Sequence, residues 1–345
     1  MRMPTMLRRA LLRSVAKLLF VVAAGAASTA YAGKPYQQYV LGDPADVVRP
    51  LPAAPSLVLM GGEVDVDEAF KWMIDKSGGG NFVVIRATNV DNYNAKIFAL
   101  GGDKLASVET LVIPSRAAAN DPFVIARIRG AEALFIAGGD QSDYINYWQD
   151  TPVQDAIQEL AGRNAPIGGT SAGLAVMGQY IFTALKGGIT SSDALANPFD
   201  KSIVLGRDFF ALPFMGGLIT DSHFASRDRM GRLITFMARI VEGGWTPDGA
   251  VRGIGLDPGT ALLVDDGNAT LKRAPSTTGS AYFLRTTGTN QIYSKIPLTY
   301  PNIDVQRLSA SDRTFDLRRW TSIYTFSYSV SAVNGALYST SGSIY

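Results

Sequence analysis

The chain has no cysteine and, among 345 residues, a single histidine, His223. The missing cysteine excludes disulfides, thiolate metal centres and a cysteine nucleophile. The shortage of histidine excludes any site built from several imidazoles, leaving carboxylates alone to hold a hard cation. Charge of either sign is scarcely in excess, with 32 basic against 30 acidic residues. Five of the basic residues (Arg2, Arg8, Arg9, Arg13 and Lys17) lie within residues 1–32, ahead of an apolar stretch at 18–27. That stretch is too short to span a bilayer comfortably, and Ala30-Tyr31-Ala32 follows it as a small-x-small cleavage site. Residues 1–32 therefore read as an export signal, which predicts a secreted or periplasmic protein with no membrane association after cleavage. The Arg8-Arg9 pair also fits twin-arginine export, so the route is left open. Removing those charges leaves 27 basic against 30 acidic residues, a net of about −3, and the sequence pI of 8.6 describes the precursor. A basic surface for nucleic acid is not expected.

What is present is apolar and glycine-rich: 47% hydrophobic residues and 35 glycines. Residues 33–55 carry five prolines and read as an extended lead-in. Short apolar runs then alternate with helical periodicity. The runs are Leu57-Val58-Leu59-Met60, Phe82-Val83-Val84-Ile85, Leu111-Val112-Ile113 and Ala133-Leu134-Phe135-Ile136-Ala137. Helical spacing appears at Val66, Phe70, Met73 and Ile74, and again at Val153, Ile157 and Leu160. This alternation predicts βαβ units: an α/β fold with a doubly wound, mostly parallel sheet and helices on both faces, over residues 56–272. Three runs end in paired glycines, at 61–62, 138–139 and 168–169. Ligands in open α/β sheets gather beyond such strand ends. Further on, residues 261–271 read as a hairpin around Asp265-Asp266-Gly267-Asn268. From 273 to 345 helical periodicity fades into a β-rich C-terminal extension, expected to pack on the same domain. Residues 324–333 alternate as a strand, and the last dozen residues are expected to be loosely ordered.

Residues 169–173, Gly-Thr-Ser-Ala-Gly, form a G-x-S-x-G pattern between the short apolar run Pro166-Ile167 and a helix expected over 172–180. A serine on a sharp strand-to-helix turn needs such small neighbours. A serine hydroxyl is a weak nucleophile and needs a base, and the one imidazole available is His223, delivered by a strand expected over 217–224, on which Asp221 and His223 would share a face. Ser226 is a candidate cap for the helix whose apolar face is Met230, Leu233, Ile234, Met237 and Val241.

Three ordered motifs, Gly138-Gly139-Asp140-Gln141, the serine pentapeptide and Asp221-Ser222-His223-Phe224, together resemble the cyanophycinase and aspartyl dipeptidase family of serine peptidases. Arg227, Arg229 and Arg232 sit where the cyanophycinase branch carries arginines, and Gly253-Ile254-Gly255-Leu256-Asp257 matches another shared segment. The resemblance spans about residues 57–267. It implies a flavodoxin-like fold related to class I glutamine amidotransferases, and hydrolysis of aspartyl peptide bonds. It further implies Ser171 as nucleophile, His223 as base, Gln141 as a substrate contact and the three arginines as carboxylate binders. The oxyanion hole would be the backbone amides of Ala172 and Gly139. For the triad acid, Asp193 ranks first from its local pattern, with Asp200, Asp208 and Asp221 as alternatives. Asp228 departs from the branch and places a negative charge among the arginines.

The leading expectation is therefore an exported peptidase releasing β-aspartyl-arginine from cyanophycin, multi-L-arginyl-poly-L-aspartate. A dipeptidase acting on small aspartyl or isoaspartyl peptides and a non-catalytic binding protein on the same fold are the alternatives. The mechanism calls for no cofactor and no metal. The expected partner is an aspartate-rich peptide or polypeptide, and relatives suggest a homodimer.

Overall fold

The computed structural model describes residues 33–47, 49, 50, 52–286 and 292–345, so the export-signal segment lies outside the described residues. Residues 34–345 form one compact unit. Its strands make two mixed sheets. At the centre of the nine-stranded sheet, five parallel strands run in the order Leu105–Val112, Gly80–Arg86, Ala133–Ile136, Ile167–Thr170 and Ser56–Met60. Nearly every residue in them is buried, which is why they appear in the sequence as unbroken apolar runs rather than alternating ones.

Antiparallel strands extend this sheet on both sides. Gln37–Gly42, within the expected extended lead-in, pairs with Leu105–Val112. On the other side come Thr260–Asp265, Asn268–Arg273 and the short Thr314–Asp316. The hairpin read at 261–271 is present and extends over 260–273, with Asp266 and Gly267 at positive φ (46° and 85°) in its two-residue turn.

The second sheet has eight strands, in the order Ala336–Ser339, Phe326–Val333, Tyr300–Leu308, Ala281–Thr286, Val251–Leu256, Leu218–Asp221, Tyr180–Phe182 and Leu205–Arg207. The extension thus continues the second sheet and adds one strand to the first. Residues 336–345 are not loose: Ala336–Ser339 pairs with Phe326–Val333, and the Ile344 carbonyl accepts from the Tyr328 hydroxyl at 2.8 Å. The helix expected over 172–180 is one turn, Ala172–Ala175. Beyond it the chain enters the second sheet, with Gly178 close to the carbonyl of Leu218, 2.7 Å from where a Cβ would sit.

Helix Met230–Glu242 is buried at every position from Met230 to Ala238, so its polar face, with Arg232 and Thr235, is covered as well as the apolar one. Burial of its Leu233, Ile234, Phe236 and Met237 stabilises the second layer by about 1.5–3 kcal/mol per side chain. Arg229 is its N-cap position, and no side chain caps it. Ser226 donates instead to the His223 carbonyl at 3.2 Å. Among the described residues no helix is long and apolar enough to cross a membrane.

Candidate active site

Ser171 ends the strand Ile167–Thr170 at φ 53° and ψ −113°, a conformation that costs a non-glycine residue about 1–3 kcal/mol. The surroundings enforce it. A Cβ on Gly173 would stand 2.1 Å from the Ile136 carbonyl oxygen, and one on Gly169 would stand 2.6 Å from that of Gly173. Only glycines on both sides let the turn close this tightly. The Ser171 amide donates to the Met60 carbonyl at 3.2 Å, tying the turn to the neighbouring strand. Beneath it, the carboxyl of Asp65 lies beside the Tyr93 and Thr170 hydroxyls, and burial raises it above the usual carboxylate range.

His223 comes from the other sheet, two residues past the strand Leu218–Asp221, at φ 46°. Its amide donates to the Gly61 carbonyl at 2.8 Å. Its ring lies on Gly62, where a Cβ would be 2.5 Å from both Cε1 and Nε2. The loop at the end of Ser56–Met60 is thus the seat of the imidazole. Nε2 and the Ser171 Oγ are 2.8 Å apart.

The carboxylate that faces Nδ1 is Glu63, at 3.3 Å and with its side chain half exposed. A carboxylate there favours the proton on Nδ1 and leaves Nε2 to accept from the serine. Burial, followed by the charge of Arg227, lowers the imidazole below its usual 6.5, while the bond to Glu63 pulls the other way. A neutral imidazole beside the hydroxyl is the state a general base needs.

Asp193 does not reach this pair. Its Oδ2 accepts from the Thr190 hydroxyl at 2.6 Å at the start of the short helix Ser191–Ala196, which lines a neighbouring chamber. Asp200 lines the same chamber, and Asp208 accepts from Gln179. Asp221 turns to the arginines, because the strand alternation that would align it with His223 ends at Asp221. Its carboxylate takes Arg232 through Nε at 2.7 Å and Nη2 at 2.5 Å, and Arg229 through Nη1 at 3.2 Å. Asp221 and Arg232 are almost wholly buried. Arg232 also stacks over Phe182 and Phe236, with 5.5 and 5.8 Å to the ring centroids. Burial lowers Arg229 to about 10. Arg227 is exposed and has no side-chain hydrogen bond or ion pair among the described residues.

A cleft of about 250 Å³ opens over Ser171. Gly139, Gln141, Ala172, His223 and the three arginines are among its lining residues. Gln141 donates to the Phe182 carbonyl at 3.3 Å. Gly138 lies directly over Ser171, its Cβ position 3.4 Å from the serine Cβ. The next residue, Gly139, abuts the Tyr144 hydroxyl, which pins the turn by donating to the Ala137 carbonyl at 2.7 Å. The sequence pattern therefore brings Ser171, His223, Gln141, Gly139, Ala172 and the arginines to one cleft, and leaves Asp193 outside it. Glu63 was not singled out, although it directly follows the glycine pair at 61–62, one of three that mark the strand ends around the cleft. Among the described residues no group of three or more acidic or histidine side chains is arranged to hold a metal ion.

Residues 65–272 match the model of peptidase family S51. The chain is 32% identical over 217 residues to the cyanophycinases of Trichormus variabilis and a Nostoc species, covering 62% of this chain and 66% of each relative. It is 28% identical over 184 residues to that of Geminocystis herdmanii, covering 52% and 61%. The matched segment thus spans just under two thirds of these relatives' own length. Among solved structures, a peptidase from an acI-B1 Actinobacterium superposes with a TM-score of 0.43 at 16% identity, over 70% of this chain and 97% of that one. A likeness that loose decides nothing further.

Proposed function

Because the chain belongs to peptidase family S51, we propose that it is an exported serine peptidase that cleaves aspartyl peptide bonds, with cyanophycin as substrate and β-aspartyl-arginine as product. The observation that carries this reading is the 2.8 Å approach of the Ser171 Oγ to His223 Nε2, with the serine on a turn at φ 53°. In the reaction, Oγ attacks the scissile carbonyl carbon while Nε2 takes its proton. The amides of Ala172 and Gly139 receive the oxyanion. Collapse of the tetrahedral species breaks the C–N bond, and the imidazolium returns the proton to the leaving amine. Water, deprotonated by the same imidazole, then releases the acyl group from Ser171.

Glu63 orients the ring and stabilises its charged form, the role for which Asp193 was the expected candidate. Arg227 meets a substrate carboxylate, and Gln141 contacts the substrate. Arg229 and Arg232, already engaged by Asp221, shape that wall and lend it positive charge. The names of the relatives and an arginine-lined cleft support an acidic polypeptide substrate. The test is incubation of the chain from Gly33, and of Ser171→Ala, with insoluble cyanophycin, with the products identified by mass spectrometry. Release of β-aspartyl-arginine by the parent alone is expected. Release by neither would remove the polymer as substrate, and equal release by both would remove Ser171 as nucleophile.

A further inference from the structure

We propose that Tyr345 is a positioning residue for the arginine turn: its hydroxyl engages the Asp228 carboxylate and keeps it off Arg227, leaving that guanidinium free for an anionic ligand. The consequence for substrate rests on the reading of the cleft given above; the partition of charge does not.

Asp228 stands between Arg227 and Arg229 in sequence and adopts φ 48°. A carboxylate that can reach a guanidinium forms a strong charge-assisted hydrogen bond with it. Here Oδ1 accepts from the Tyr345 hydroxyl at 2.8 Å, and that hydroxyl oxygen in turn accepts from the Met230 amide at 2.9 Å. The phenol thus links the aspartate to the first turn of the buried helix Met230–Glu242. Its ring is set edge-on against Phe224 and Tyr282, with centroids 5.9 and 5.8 Å away. Phe224 immediately follows His223. On its other side the turn is held by Ser191, whose hydroxyl donates to the Asp228 carbonyl and accepts from the Arg232 amide at 3.1 Å.

Burial and the nearby aspartate charge push the Tyr345 phenol far above its ordinary value, so it remains a donor across the working pH range. Residues 273–345, beyond the part of the chain that matches the family, therefore supply a side chain that sets the charge beside the serine.

The single histidine makes the test clean. The charged groups facing His223 are Glu63 from the glycine loop and Arg227 and Arg229 from its own segment, with Asp221 holding Arg229. The imidazole of His223 would be titrated by NMR in the full chain, in Tyr345→Phe, in Asp228→Ala and in the double variant. KM and kcat would be measured on a short β-aspartyl peptide bearing a free carboxylate. The phenylalanine keeps the ring contacts and loses only the hydroxyl.

In Tyr345→Phe the freed carboxylate swings to Arg227. His223 then titrates a few tenths of a pH unit higher, and KM rises about two- to fivefold with kcat held, the range for an exposed ion pair. Adding Asp228→Ala restores both. A Tyr345→Phe protein that titrates like the parent, or a double variant that fails to restore it, would overturn the proposal and reduce Tyr345 to packing. If no variant and no parent cleaves any aspartyl peptide, the peptidase reading fails, while the titration still decides the role of Tyr345.

Discussion

The serine side of the cleft and the histidine side are built by different means. Ser171 is held by its covalent neighbours and by the backbone of adjoining parallel strands: Gly169, Gly173, the Ile136 carbonyl and the Met60 carbonyl. His223 arrives from the second sheet and is held by residues about 160 positions away, the Gly61 carbonyl, the bare face of Gly62 and the Glu63 carboxylate. The first arrangement announces itself in five consecutive residues, although neighbouring strands complete it. The second exists only once the two sheets have met. The serine side should accordingly fail through backbone strain, and the histidine side through loss of distant partners.

The largest effect is expected at the seat of the imidazole. Gly62→Ala inserts a Cβ 2.5 Å from the ring at a position with φ 98°, so the ring must leave the serine. Activity should fall at least about 10³-fold, comparable with loss of a general base, and the strained φ should lower the melting temperature as well, by far less than unfolding at the assay temperature would need. Retained activity would mean that the two sides are not joined through this loop. Glu63→Gln should lower kcat about 10²-fold, less than removal of the base itself, because the carboxylate is half exposed and 3.3 Å from Nδ1. Asp193→Asn, by contrast, should leave kcat within about twofold, as for a surface substitution away from the reacting groups. Reversal of those two results would return the acid to the chamber wall.

Asp221→Asn tests stability on the histidine side. It strands the buried Arg232 and its neighbour Arg229 without a counter-charge, and should cost about 3–5 kcal/mol, measured by denaturant unfolding. The smallest effect is in pH. The folded chain holds His223 below 6.5, so the unfolded chain takes up this proton first as the pH falls. Stability linked to His223 is therefore complete above 6.5 and lost progressively below it, and kcat/KM should begin its acid limb below 6.5 as well. Arg227→Met should move that limb upward. An unmoved limb would show that Arg227 does not face the imidazole.

The same contrast explains what could be read in the sequence. The parallel strands, the elbow serine and the only histidine were legible because each depends on local pattern: buried strands are unbroken apolar runs, and a crowded turn demands glycine. The acid was not, since Glu63 becomes a partner only through a contact spanning 160 residues. Asp193 carried a suggestive neighbourhood but lies in the first turn of its own short helix, where the capping Thr190 holds both its amide and its carboxylate. The arginines were legible as a cluster, yet which of them remains free was decided by Asp221, whose direction changes where the strand stops. The helix expected after the elbow is one turn, since the chain joins the second sheet at Tyr180–Phe182, a pairing made by distant strands.

The loop at 61–63 has a further consequence. The Gly61 carbonyl receives the His223 amide, and the Gly62 carbonyl receives that of Gly259 at 3.1 Å, while the strand behind them receives Ser171. Three residues therefore rivet the two halves at the point where the reacting atoms meet. The spacing between serine and imidazole acts as a gauge of that joint, sensitive to slippage far too small to expose the core. On gradual heating, turnover should be extinguished before the cooperative melt begins, making the catalyst its own earliest reporter of loosening.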